Sequence, residues 1–133
     1  MPAKAHIAII HFPIALAITG LLFNLISVFA RSEELARATR YVAVVAGLGA
    51  LAAAAAGLWA LSDLGPVGEV AERAFRHRFF GILTTAVLLA QAVWALIARR
   101  GMSRAAAFGF LALGLVSAAL VSYTGYLGGE IGD

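Results

Sequence analysis

Four long apolar stretches, separated by three short charged segments, make up almost the whole chain. Each stretch has about the 20 residues that an α-helix needs to cross the hydrocarbon core of a bilayer. The pattern predicts four transmembrane helices, at residues 6–30, 41–61, 79–98 and 105–127. Because the connectors are short, successive helices should be antiparallel neighbours. The predicted fold class is therefore all-α: an integral membrane four-helix up-down bundle.

The composition agrees with a membrane location. Of the 133 residues, 62% are hydrophobic and 13% are charged, whereas a soluble domain has about 45–50% and about 25%. The length suits a single transmembrane domain over residues 1–133, and the sequence shows no convincing internal repeat. The net charge of +3 rests on few residues, so the predicted partner is the lipid bilayer and not nucleic acid. The chain has no cysteine, which excludes disulfides, iron–sulfur ligation and thiolate zinc sites within it.

Basic residues are unevenly divided between the two sides of the predicted bundle. The first and third connectors carry six arginines, whereas the opposite side carries four basic residues. Cytoplasmic connectors of membrane proteins carry an excess of lysine and arginine. We therefore predict that the first and third connectors lie in the cytoplasm and that both termini lie on the outer side.

All three histidines fall on that outer side. His6 and His11 begin the first span, and His77 begins the third. Ionisable residues inside a membrane span are costly and usually functional. His11 and His77, on different helices, are predicted to be the two axial ligands of a b-type haem, because histidine is a common haem ligand. Gly81, four residues after His77, would let a flat ligand lie against the third helix.

Other residues on the same side complete the predicted haem site. Guanidinium groups pair well with carboxylates, so three arginines near His77 would bind the haem propionates, and a tyrosine would border the pocket. These residues are Arg73, Arg76, Arg78 and Tyr126. The arginines are explained equally well as a cluster that faces lipid headgroups. The tyrosine also fits the aromatic belt of a membrane interface.

A mononuclear metal site is the alternative use of the histidines. His6, His11, His77 and Asp63 would supply nitrogen and oxygen ligands that suit zinc, copper or iron. The side chains of His6 and His11 differ in direction by about 140° on a regular helix, so a kink at Pro13 would be needed to bring them to one small ion. His6 is explained equally well as an interfacial residue without a ligand.

Polar residues also occur at membrane depth, away from the histidines. Asn24, Thr84, Thr85 and Gln91 are predicted to form hydrogen bonds between helices, as polar side chains do in membrane bundles.

Two short segments carry a resemblance to a known family. The segment HIAIIHFPIAL at residues 6–16 and the segment GYLGG at residues 125–129 resemble those of the domain of unknown function 2231 family, which consists of bacterial four-span membrane proteins. Gly57, Asp63 and His77 match further elements of the family pattern, so the similarity covers nearly the whole chain. Ile7 departs from it, because the family has a proline there.

The resemblance implies a bacterial inner (plasma) membrane location and a redox setting, since some relatives are joined to Rieske-type or cytochrome c-type modules. We therefore expect a small b-type cytochrome-like electron-transfer module with a bis-histidine haem between the first and third helices. An electron carrier or accessory subunit is favoured over an enzyme with its own substrate. The alternatives are a non-catalytic accessory subunit of a larger membrane complex and a transition-metal-binding membrane protein. The expected partners are a redox partner or such a complex.

Overall fold

The computed structural model describes residues 2–65 and 67–132, apart from the side chains of residues 2–5, 63, 64 and 132. It contains four α-helices: α1 (Pro2–Ala30), α2 (Glu33–Leu64), α3 (Gly68–Ile97) and α4 (Arg104–Gly132). All four are long and apolar enough to cross a membrane. The predicted fold class, an all-α four-span membrane bundle, is confirmed.

The four helices form a closed ring. Each helix packs on two neighbours, through the pairs α1–α2, α2–α3, α3–α4 and α1–α4. Helices α1 and α3 therefore lie diagonally across the bundle, and so do α2 and α4. A side chain on the inner face of α1 points towards α3 across the centre.

The helices are longer than the apolar pattern predicts, because a helix continues past the hydrocarbon core into the headgroup zone. Helix α2 already begins at Glu33, where the Ser32 hydroxyl accepts a hydrogen bond from the backbone N–H of Leu35. It ends at Leu64 and is capped by Gly65, whose φ of 52° is left-handed, a conformation that costs glycine little. The predicted connectors at 31–40 and 62–78 therefore shrink to two or three residues. The arginines and the histidine near the start of α3 are helical residues, not connector residues.

Small residues let the helices approach closely. A Cβ added to Gly47 would lie 2.8 Å from the Cβ of Ala92 on α3. One added to Gly49 would lie 3.1 Å from the Phe12 ring and 3.5 Å from Pro13, both on α1. Helix α1 remains helical through the buried Pro13. These contacts are the small-residue packing that association in lipid requires.

Two of the four polar residues at membrane depth join helices as predicted. The Ser117 hydroxyl on α4 donates a hydrogen bond of 2.8 Å to the side-chain oxygen of Gln91 on α3. The hydroxyls of Thr84 and Thr124 are also 2.8 Å apart and join the same two helices. The third and fourth helices are therefore linked by polar contacts at two levels.

The other two polar residues do not join helices. The Thr85 hydroxyl donates to the carbonyl of Gly81 within its own helix, an alternative that hydroxyl side chains often take. The side-chain nitrogen of Asn24 is buried and has no hydrogen-bond partner among the described residues. The prediction of interhelical bonds is wrong for these two residues.

The bundle is built from two similar halves. The first hairpin, α1 and α2, matches the second, α3 and α4, at a constant offset of 71 positions. The offset relates two hydrogen-bonded helix caps, at Ser32 and at Ser103. It also relates residues that are buried in both halves: 17 and 88, 43 and 114, 46 and 117, and 50 and 121.

Each half contains an even number of spans, so α1 and α3 run in the same direction. Parallel repeats of this kind are related in other membrane proteins by a two-fold axis along the membrane normal. The repeat lies in packing positions and not in residue identity, which is why the sequence by itself shows no convincing repeat.

Candidate functional site

Two histidines meet near the centre of the bundle, at the end where α1 and α3 begin (the histidine end). The ring centroids of His6 on α1 and His77 on α3 are 6.0 Å apart, and the ring planes are inclined at 78°. Both residues are partly buried. Since α1 and α3 are diagonal helices, the contact spans the interior of the bundle.

Each imidazole is held by a backbone carbonyl of the next helix. The Nδ1 atom of His6 is 3.0 Å from the carbonyl oxygen of Ala53 on α2. The Nδ1 atom of His77 is 3.0 Å from that of Thr124 on α4. A carbonyl only accepts, so Nδ1 carries the proton, and the lone pair of the neutral ring lies on Nε2. This tautomer is the one that a second-shell carbonyl selects in metal-ligating histidines.

Glycines one turn beyond these carbonyls make room for the rings. A Cβ added to Gly57 would lie 2.9 Å from the Cε1 atom of His6. One added to Gly128 would lie 3.0 Å from the Cε1 atom of His77. Any other residue would push the imidazole from its place, so both glycines belong to the site. Sequence reasoning missed this role, although the equal spacing of 6 to 57 and 77 to 128 was a usable signal.

His11 lies elsewhere. Its side chain is exposed on the outside of the bundle, as the angle of about 140° from His6 on a regular helix requires. Pro13 does not interrupt α1, so no kink turns His11 inward. The structure thus brings His77 together with His6 and not with His11.

The predicted arginines form a rim around this end and do not line the histidine pair. Arg73 donates a hydrogen bond of 2.8 Å to the carbonyl of Glu130. Arg76 lies 3.3 Å from the hydroxyl of Tyr123. Arg78 is exposed. The first two arginines therefore tie the start of α3 to the end of α4.

The remaining predicted residues are also peripheral. Tyr126 is 63% exposed, and its hydroxyl donates to the carboxylate of Glu130 at 3.0 Å. Gly81 borders Thr124, whose Cγ2 atom would lie 3.9 Å from an added Cβ. The side chain of Asp63 lies outside the described residues. None of these observations adds a third ligand to the histidine pair.

A site for a bare metal ion needs more donors than the pair offers. Within the described part of the chain, no group of three or more His, Cys, Asp or Glu side chains could hold a metal ion. Zinc in proteins almost always has three or four protein ligands. The two imidazoles therefore suit a group that brings most of its own ligands.

The separation of the two rings is close to that of two imidazoles bound to one metal ion, whereas a haem macrocycle would need more space than the pair leaves. With metal–nitrogen bonds of about 2 Å, two imidazoles on opposite sides of one ion have centroids about 6 Å apart, and the observed separation is 6.0 Å. The interior around the pair is closed, because Ala74 and Leu127 are 3% and 2% exposed. A macrocycle would have to separate the two hairpins at this end.

The fold and the site define a four-span membrane protein with a partly buried pair of imidazoles at one end. The chain belongs to the domain of unknown function 2231 family, described as a predicted membrane protein, whose sequence model matches residues 3–133. This confirms the resemblance seen in the first and last spans. No curated protein and no solved structure matches the chain.

Proposed function

We propose that the protein is a small membrane electron-transfer module in which His6 and His77 hold a b-type haem between α1 and α3. The contact between the two imidazoles across the bundle carries this proposal. The fixed Nδ1 tautomer supports it, because both Nε2 atoms are then free to bind iron.

The number of donors favours haem over a bare ion. Haem itself supplies four of the nitrogen ligands of its iron, and His6 and His77 could supply the remaining two. When bound, haem supplies one-electron redox chemistry, and its potential depends on axial ligands, hydrogen bonds and burial. The carbonyls of Ala53 and Thr124 would tune it through the bound imidazoles.

The rim supports the orientation of such a group. Propionates would face the end at which Arg73, Arg76 and Arg78 lie, since guanidinium forks suit carboxylates. We place this end on the outer side of a bacterial inner membrane, with both termini there. The same exposed arginines would steer an acidic redox partner towards the site.

The visible spectrum tests the cofactor and its ligands together. The wild-type protein, expressed with ample haem supply, should give sharp α and Soret bands in a reduced-minus-oxidised difference spectrum. The bands should be lost in His6→Ala and in His77→Ala. His11→Ala is the matched control, because this histidine lies on the same helix with its side chain exposed, and its spectrum should equal that of the wild type.

Three outcomes would contradict the proposal. A colourless wild-type protein would show that the protein does not bind haem. Bands that collapse in His11→Ala and survive in His6→Ala would move the axial ligand to His11. Stoichiometric zinc or copper in protein purified without a histidine tag, together with no haem, would instead assign a mononuclear metal site.

The orientation has a separate test. A periplasm-active phosphatase fused after residue 132 should be active, and the same phosphatase inserted at Gly101 in the third connector should be inactive. The reverse pattern would place the histidine end in the cytoplasm.

A further inference from the structure

A cavity lined in part by polar side chains lies at the other end of the bundle. It has a volume of about 70 Å³ and lies below the connector between α3 and α4. All of its polar lining comes from the first hairpin, through Asn24, Ser27, Thr39 and Arg40, whereas its apolar lining comes mainly from the second, through Met102, Ala107 and Phe110, with Ala36 from the first. The volume is several times the roughly 10–15 Å³ that one water needs.

The lining offers donors that no described residue uses. Asn24 is only 5% exposed, yet its side-chain nitrogen has no hydrogen-bond partner among the described residues. A buried polar group without a partner costs about 1–3 kcal/mol, so such a group points to something that occupies the cavity. The hydroxyl protons of Ser27 and Thr39 are already donated to backbone carbonyls at 2.8 Å.

Arg40 adds a fixed positive charge to the same cavity. Its side chain is half-buried, and a guanidinium stays protonated in proteins. Residue 40 lies seven residues into α2, about 10 Å from the first residue of that helix. A charge at this depth requires a partner, because the nearby medium is the headgroup boundary and not bulk water.

The internal repeat shows that these residues are specific to this cavity. At the offset of 71 positions, Asn24 corresponds to Ala95 and Ser27 to Ala98. Thr39 and Arg40 correspond to Phe110 and Leu111. The second hairpin packs the equivalent positions with apolar side chains, so the bundle itself does not need polar residues there.

From the donors, the charge and the depth, we infer that this cavity binds a phosphate group at the headgroup boundary, through the Asn24 amide and the Arg40 guanidinium. Both groups donate hydrogen bonds, which selects an anion, and a guanidinium fork suits phosphate oxygens. The phosphate is either that of a lipid headgroup or free inorganic phosphate. The site is independent of the haem proposal, because it lies at the opposite end of the bundle.

The chain carries a reporter for this site. The Trp94 ring packs on Phe110, a lining residue, with centroids 5.6 Å apart. The other tryptophan, Trp59, is 62% exposed and near the histidine end. In Trp59→Phe protein, fluorescence therefore reports Trp94 alone. The titrations use delipidated Trp59→Phe protein in dodecyl maltoside, after phosphorus analysis has measured any retained phospholipid.

Three ligands distinguish the source of the phosphate. Dioleoyl phosphatidylglycerol should change the Trp94 emission saturably, whereas dioleoylglycerol, which lacks the phosphate, should not. Saturation by inorganic phosphate as well, at constant ionic strength against sodium chloride, would mean that a free anion suffices. Saturation by the lipid alone would identify a headgroup site. Retained phosphorus close to one atom per protein molecule would mean that a phospholipid already occupies the site.

Variants decide whether the cavity residues are responsible. Arg40→Gln should weaken binding roughly tenfold or more, since it removes a charge-assisted contact. Arg37→Gln, an exposed arginine one turn away, should stay within about twofold of the unsubstituted background by the same reasoning. Asn24→Leu is a second variant, checked for folding by its helical circular dichroism.

Two results would overturn the inference. One is the absence of saturation by either phosphate compound in protein without retained phosphorus, which would leave a cavity that holds water only. The other is an unchanged binding midpoint in both Arg40→Gln and Asn24→Leu.

Discussion

The internal repeat is kept at one end of the bundle and is broken at the other. At the histidine end, the two halves are nearly equal: His6 and His77 each form a hydrogen bond of 3.0 Å to a carbonyl on the next helix, and each ring packs against a glycine. At the other end, the first half places Asn24 and Arg40 where the second half has alanine and leucine. The symmetric end presents two equal donors to its centre, and the asymmetric end presents a one-sided polar wall to a cavity.

The difference indicates what each end suits. Two similarly held imidazoles that face each other would suit a group that is itself symmetric about its centre, such as the haem that we propose. A polar wall against an apolar wall suits a group with a charged head and an apolar remainder. The two proposals therefore rest on different observations, and each can fail without the other.

The largest expected effect comes from filling the space beside the histidines. Gly57→Ala and Gly128→Ala should each lower the free energy of unfolding by about 1–3 kcal/mol through overpacking, because each Cβ would lie within about 3 Å of an imidazole carbon. Similar values for the two variants are expected from the repeat. Denaturant titration in detergent micelles, followed by circular dichroism, measures the change.

Gly129→Ala is the matched control for those two variants. A Cβ there would have nothing within 4 Å, and alanine favours the helix by up to about 1 kcal/mol. This variant should therefore be neutral or slightly more stable. A cost for Gly129→Ala equal to that of Gly128→Ala would break the argument that the imidazole needs the glycine.

The next effect has the opposite sign and tests the asymmetric end. In detergent free of phosphate compounds, Asn24→Leu should raise the free energy of unfolding by up to about 1–3 kcal/mol, because it removes a buried polar group without a partner. Gln91→Leu should lower it, since it removes the hydrogen bond that joins α3 to α4, although the Ser117 hydroxyl keeps the carbonyl of Leu113 on its own helix as an acceptor. Thermal unfolding of both variants with and without phosphatidylglycerol gives the comparison. Equal losses in the two would show that Asn24 is satisfied.

The smallest effect concerns the hydrogen bond between the Thr84 and Thr124 hydroxyls, which only the second hairpin has. Thr84→Val removes the bond to Thr124 and should cost about 0.6 kcal/mol, the average for hydrogen bonds between membrane helices. Thr85→Val removes only a bond within α3 and should change stability less. Denaturant titration of the two variants, repeated to resolve a few tenths of a kcal/mol, measures the difference in their free energies of unfolding. A larger loss in Thr85→Val would contradict the assignment.

Much of the fold was readable from the chain, because lipid imposes a length of apolar residues on every crossing. The four spans and the interhelical contacts of Thr84 and Gln91 followed from that constraint. The helix ends did not, since hydropathy describes the hydrocarbon layer while Ser32 and Gly65 set the actual termini of α2. That all three histidines lie at one end of the bundle was also predictable, because successive helices are antiparallel.

Which of these histidines contact each other was not predictable in the same way. In a soluble bundle an apolar stripe marks the inner face of each helix. A helix in lipid is apolar all round, so nothing in the pattern said whether His6 or His11 turned inward. The glycines at 57 and 128 were visible as residues, but their role depends on a ring from another helix.

The sequence alone thus determined that the chain crosses a membrane four times and carries its histidines at one end. Only the tertiary structure decided that His6 meets His77, that two halves share one pattern of packing, and that a polar cavity breaks this pattern at the far end. The physical reason is that lipid is as apolar as the bundle interior. Burial by hydrophobicity therefore cannot orient the helices, and close packing of small residues does so instead.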